Sequence, residues 1–139
     1  MFKVSTKGRY GLRAMIELAG SSKNEPMLMG KIAQRQGFSR KYLHALLTSL
    51  KEAGLVQSVR GSRGGYMLAK SADDIRISDV VEALEGPLAI VDCLNHEDTC
   101  SRTDECLARG IWKELNSAMA GVLTNTTLAD LTNNNKEKK

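Results

Sequence analysis

All three cysteines of the chain, Cys93, Cys100 and Cys106, fall in one stretch, separated by gaps of six and five residues. Thiolates are soft ligands that suit iron–sulfur clusters, zinc or copper(I), and they are also the side chains that sense oxidants. The gaps are wider than the about two to four residues usual between paired ligands of structural zinc, and they differ from common ferredoxin spacings. Spacing alone therefore leaves the metal open, with free thiols as the alternative, since loop cysteines do not pack a core. His96 lies within the stretch, although a histidine in a polar loop is more often solvated than a ligand. An odd number of cysteines in a reducing compartment reads as ligands or a reactive thiol, not as a disulfide framework.

Other chemistry is not legible. The sequence holds no paired catalytic carboxylates, no phosphate-binding glycine loop and no nucleophile–histidine arrangement, which argues against an enzyme. Aromatic residues are 4% of the chain, too few for a surface that stacks single-stranded bases. No apolar run approaches the roughly 20 residues of a membrane span, and the first residues lack a signal-peptide core, so a cytoplasmic location is expected. The net charge of +4 divides unevenly. Residues 1–70 carry 13 Lys and Arg against 3 Asp and Glu, whereas residues 71–139 carry 7 against 13. A basic half joined to an acidic half points to a polyanion partner for the first half only.

The elements that must position these groups follow from periodicity and punctuation. Thr6 is read as the cap of a helix with Tyr10, Leu12, Met15, Ile16 and Ala19 on one face. A short helix follows, with Leu28, Ile32 and Ala33 inward, then a tight turn at Gly37 with Phe38 buried after it. Ser39 caps a third helix whose stripe is Leu43, Leu46, Leu47, Leu50 and Ala53, ended by Gly54 at positive φ. Short helix, glycine turn and longer basic helix form a helix-turn-helix. Residues 55–59 and 66–69 are β-prone and flank Arg60-Gly61-Ser62-Arg63-Gly64-Gly65, a hairpin with two arginines at its tip and hence a wing.

Ser78 is read as the cap of a fourth helix with Val80, Val81 and Leu84 inward, stopped by Gly86-Pro87. The cysteine segment is a loop. Ser101 and Asp104 could form the start of the next helix; Leu107, Ile111, Leu115, Met119 and Val122 then mark a long amphipathic helix of about 21 residues, or about 31 Å, running to about Thr124. Its face needs a partner, and a second copy of the chain is the expectation. Thr127 and Asp130 resemble a final capping box before a short turn, and residues 133–139 read as a disordered tail. The expected fold is mainly α with a small β-hairpin: a winged helix-turn-helix region at 1–70, then a cysteine loop and dimerisation helix at 71–132.

Ser5-Thr6-Lys7-Gly8-Arg9-Tyr10, Ile32-Ala33, Tyr42-Leu43, Gly54-Leu55-Val56, Val59-Arg60-Gly61 and Gly64-Gly65-Tyr66 together resemble the Rrf-type winged-helix regulators, the family of IscR, NsrR and RirA. The likeness reaches Thr127-Leu128-Ala129-Asp130-Leu131. It implies a homodimeric transcription factor that binds double-stranded DNA and carries an iron–sulfur cluster on Cys93, Cys100 and Cys106. By position, Ser39, Arg40, Lys41, Tyr42 and His44 would face DNA from the recognition helix, and Arg60 and Arg63 would reach a minor groove or phosphates. His44 stands where IscR has a glutamate important for sequence discrimination, so the resemblance does not carry that relative's DNA sequence preference over to this chain. IscR's fourth ligand, a histidine three residues after the last cysteine, is Arg109 here, and arginine does not deprotonate to bind iron. The aspartate that NsrR borrows from its partner corresponds to Arg9. Asp92, His96, Asp98, Glu105 and a small exogenous ligand remain for the fourth position, and the likeness to three-cysteine RirA-type members favours a 4Fe–4S over a 2Fe–2S cluster. Two rival readings stay open beside it: a thiol redox switch or zinc site on the same DNA-binding frame, and an electron-transfer or cluster-delivery protein.

Overall fold

The computed structural model describes residues 3–21, 25–62, 64–94, 101 and 105–137. Helix α1 (Thr6–Gly20) is capped by Ser5, whose hydroxyl accepts from the Gly8 N–H at 3.3 Å. Ser5, not Thr6, is the cap because Ser5 keeps an extended backbone (φ −67°, ψ 165°), while Thr6 is already helical. The face α1 buries is Gly8, Gly11, Ala14, Met15 and Leu18, with Tyr10, Leu12, Ile16 and Ala19 only half-buried beside it. The expected stripe is thus rotated. Glycine and alanine carry no hydrophobic signal, yet here they permit close helix contact. A Cβ on Gly11 would run into the Leu84 side chain of the fourth helix.

Helix α2 (Met29–Gln36) ends at Gly37 (φ 74°), and the Phe38 N–H closes the turn onto the Ala33 carbonyl at 3.0 Å. Ile32 and Ala33 are buried as expected. Leu28 is corrected to an exposed position: it precedes the helix with an extended backbone, and Met27 takes the core place beside it. Phe38 is half-buried. Helix α3 (Arg40–Glu52) buries Leu43, Leu46, Leu47 and Leu50, and Gly54 (φ 78°) closes it.

Strands β1 (Val56–Val59) and β2 (Gly65–Leu68) pair antiparallel, with Val56 opposite Leu68 and Val59 opposite Gly65. Met27 adds a bridge to this hairpin through two 2.8 Å backbone bonds with Tyr66. Gly65 (φ 144°) is required there, because a Cβ would fall on the Met27 backbone.

Helix α4 (Ile77–Glu85) starts one residue before the expected cap. The Asp79 carboxylate accepts from the Arg76 N–H at 3.0 Å, so Ser78 lies buried inside the first turn. Helix α5 (Ala108–Asn125) spans 18 residues, or about 27 Å, and begins after the expected Ser101 start, with no side-chain cap. Helix α6 (Leu128–Glu137) carries the capping box: Thr127 N–H to Asp130 at 2.9 Å and Asp130 N–H to the Thr127 hydroxyl at 3.1 Å. Residues 133–137, read as the start of a disordered tail, continue this helix, since elongating a capped nucleus costs far less than starting one. Residues 138–139 lie outside the described residues.

A single buried cluster unites α1, α2, α3, β1, α4 and Leu128 of α6. Ile75, Ile77, Val80, Val81 and Leu84, which follow residue 70, pack in the same core as the first three helices. Backbone bonds from Ile77 to Thr126 (3.0 Å) and from Leu128 to Ile75 (2.8 Å) stitch the end of α5 to the start of α4. Helix α5 itself contributes no fully buried residue, and Leu107, Ile111 and Val122 are 98%, 56% and 67% exposed.

Candidate nucleic-acid interface and thiol segment

The start of α3 is held rigidly. The Ser39 hydroxyl accepts from the Tyr42 N–H at 3.1 Å, and Tyr42 sets its ring edge-on to Tyr10 and Phe38, with centroids 5.9 and 6.5 Å away. Arg40, Lys41 and His44 are exposed on the same helix. The Arg40 guanidinium lies over Gly30 at the first turn of α2, where a Cβ would come within 2.6 Å of it. Two helix starts and a cation thus lie together, an arrangement suited to a phosphate. Arg60 is exposed where β1 leaves for the wing tip, and Arg63 lies outside the described residues. Lys51, which sequence reasoning passed over, donates to the Ser58 hydroxyl at 3.0 Å and ties the end of α3 to the hairpin.

The thiol segment follows α4 in the chain. Cys93 is half-buried in a single 3₁₀ turn (Asp92–Leu94), and Cys106 is exposed two residues before α5. Neither is in a disulfide. Cys100, His96 and Asp98 lie outside the described residues. Asp92 and Glu105 are exposed, and among the described residues no three His, Cys, Asp or Glu side chains converge. Arg9 is exposed on α1, with its guanidinium 5.8 Å from the Tyr10 ring centre.

Arg109 occupies the third position after Cys106 and touches both described cysteines through their backbones. Its N–H donates to the Cys106 carbonyl at 3.3 Å and its guanidinium to the Cys93 carbonyl at 3.4 Å. Asn116, about two turns further along α5, accepts from the Ile90 N–H at 3.0 Å and donates to the Leu88 carbonyl at 3.1 Å. Both residues fasten the segment leading into the cysteines onto α5. Neither contact had a signal in the sequence, because a polar residue that bonds a distant backbone looks like any solvated one.

A helix-turn-helix on a helical core, followed by a two-stranded wing and a long outer helix, defines a winged helix-turn-helix transcription regulator. Residues 4–134 match Rrf2, described as iron-dependent transcriptional regulators, and the chain belongs to that family. Protein rrf2 of Nitratidesulfovibrio vulgaris is 44% identical over 129 residues, covering 93% of this chain and 86% of that protein. Among solved structures, T. potens IscR superposes with a TM-score of 0.82 at 37% identity, over 99% of this chain and 91% of that one. CymR, the global cysteine regulator of B. subtilis, gives 0.80 at 41% identity over 96% and 98%. The oxidized form of Staphylococcus aureus CymR gives 0.76 at 36% over 94% and 96%. Regulators of this family bind DNA. Among the described residues no helix is long and apolar enough to cross a membrane.

Proposed function

We propose that this chain is a cytoplasmic, homodimeric regulator whose affinity for operator DNA is set by an iron–sulfur cluster on Cys93, Cys100 and Cys106. The observation that carries the reading is mechanical: Arg109 and Asn116 attach the thiol segment to α5, the helix whose apolar face is exposed in the single chain. Residues 1–70 would read DNA through Ser39, Arg40, Lys41, Tyr42 and His44 of α3 and Arg60 and Arg63 of the wing. Residues 71–132 would carry the cluster and the dimer contact.

The donors suit the group in kind, because thiolates are soft ligands, with Cys93 half-buried and Cys106 exposed. Such a cluster, preferentially 4Fe–4S, supplies a redox-active and oxidant-labile centre. Arg109 cannot be its fourth ligand, which leaves Asp92, His96, Asp98, Glu105 or a small exogenous molecule. The protein's own part is coupling. A change in the backbone at Cys93 pulls on Arg109 and the first turn of α5, and a shift of α5 in a dimer changes the spacing of two recognition helices. A coupling of about 1–3 kcal/mol would change operator affinity roughly 5–150-fold.

Anaerobic purification with a visible spectrum and iron and sulfide assays tests the cofactor, and duplex binding with and without it tests the coupling. Equal operator affinity for cluster-loaded protein, apo-protein and Cys93→Ala would overturn the reading. The oxidized CymR relative favours a second reading in which the cysteines act as a thiol switch on the same frame. A colourless, iron-free protein whose DNA affinity responds to oxidant would select it.

A further inference from the structure

We propose that Arg13, on the outer side of α1, is a positioning residue for DNA reading: it locks the turn between α2 and α3 and so fixes the angle of the recognition helix. The inference rests on the assignment of α3 as the reading helix. Arg13 Nε donates to the Gln36 side-chain oxygen at 2.9 Å, and Nη2 donates to the Gln36 carbonyl at 3.1 Å. Gln36 is the last residue of α2, so this carbonyl is one of the acceptors a helix end leaves without an intrahelical partner. A cation there also complements the negative end of the helix dipole.

The guanidinium plane does further work. It lies 5.3 Å from the centre of the Tyr10 ring and 5.1 Å from that of Phe38, two rings stacked at 4.8 Å. Tyr42, in the first turn of α3, packs edge-on against both. One turn along α1, Glu17 accepts from the Gln36 side-chain amide and pairs with Arg35 at 3.7 Å. Helix α1 therefore grips the end of α2 at two successive rungs, and its aromatic neighbours reach the start of α3. Between the helices stand only Gly37, Phe38 and Ser39, and Gly37 (φ 74°) restrains the backbone least. The clamp spans the joint where the reading helix would otherwise pivot.

Two roles for an exposed arginine near this surface are separable. A phosphate contact adds affinity for every duplex and steepens the salt dependence by about one ion. An internal clamp adds affinity only where base edges must be met at a set angle. The probe is a duplex enriched from a random-sequence library by the wild-type protein, compared with a scrambled duplex of equal length, across a salt series. For Arg13→Ala we expect a loss of roughly five- to tenfold on the enriched duplex, the scale of a partly exposed charged hydrogen-bond pair. The scrambled duplex and the salt slope should be unchanged.

Arg13→Lys should not rescue, because lysine keeps the charge but has neither the fork nor the planar face. Gln36→Ala, which leaves the Arg13 charge in place, should lose enriched-duplex affinity in the same selective way. All four proteins are compared below their melting transitions. Equal losses on both duplexes, a slope lower by about one, rescue by lysine, or no change would each overturn the clamp. A wild-type protein that enriches no sequence would instead refute the reading-helix assignment on which it stands.

Discussion

Replacing Ile111 and Val122 together by aspartate should convert the protein to a folded monomer. The two residues lie on one stripe of α5, eleven positions or about 16 Å apart, and are 56% and 67% exposed in the single chain. Fully burying such a side chain is worth about 1.5–3 kcal/mol, so each leaves about 1–2 kcal/mol of burial still to be gained. A twofold interface uses every residue twice, which places the forfeited burial on the order of 4–8 kcal/mol per dimer. Carboxylates in an apolar contact add a desolvation cost to this. Dimerisation should weaken by at least about a thousandfold, the equivalent of about 4 kcal/mol. Sedimentation velocity at micromolar concentration reads the state, and far-UV circular dichroism reads the fold. Helix content should persist, because no α5 side chain is fully buried in the protomer's core. A double variant that still sediments as the wild-type dimer would refute the assignment of this face, and a monomeric wild type would refute the dimer itself.

Gly65→Ala should cost about 3 kcal/mol or more, from positive-φ strain and two lost Met27–Tyr66 bonds, and should impair the wing; chemical denaturation and duplex binding check this. Bonds from the Thr127 backbone and hydroxyl hold the Asp130 carboxyl below its ordinary range. That stabilising contribution is complete above the unfolded aspartate value of about 4 and disappears as pH falls through the lower folded value. Asp130→Asn should accordingly flatten the acid limb of the stability–pH curve, and an unchanged limb would remove the cap from the account. Lys41→Ala should weaken binding to all duplexes alike and lower the salt slope by about one, whereas His44→Ala should alter the ranking of sequences; binding arrays at two salt concentrations distinguish them.

Much of the frame is legible in the sequence. The leucine stripe of α3, its Ser39 cap and its Gly54 stop were read directly, because each is a local signal with one physical cause. The hairpin with its glycine-rich tip was equally clear. Misreadings occurred where the local signal was weak or shared by neighbours. Ser5 and Thr6 are both good caps, and only the backbone angle chooses between them. The Gly8–Gly11–Ala14 face of α1 was invisible because small residues announce closeness only when a partner, here Leu84, is in place. Residues 133–137 look like a solvated tail, and their helix follows from the cap that precedes them.

The sequence by itself determined the inventory: three thiols in one segment, a basic helix-turn-helix with a wing, and an arginine three residues after the last cysteine. These are properties of residue type and short spacing, which chain order alone conveys. Only the tertiary structure decided what is joined to what. It put Arg109 on the carbonyls of Cys93 and Cys106, Asn116 on the segment leading into Cys93, and Arg13 on the joint between α2 and α3. Those bonds connect residues 3 to 28 positions apart through backbone groups that every residue possesses, so no side-chain pattern foretells them.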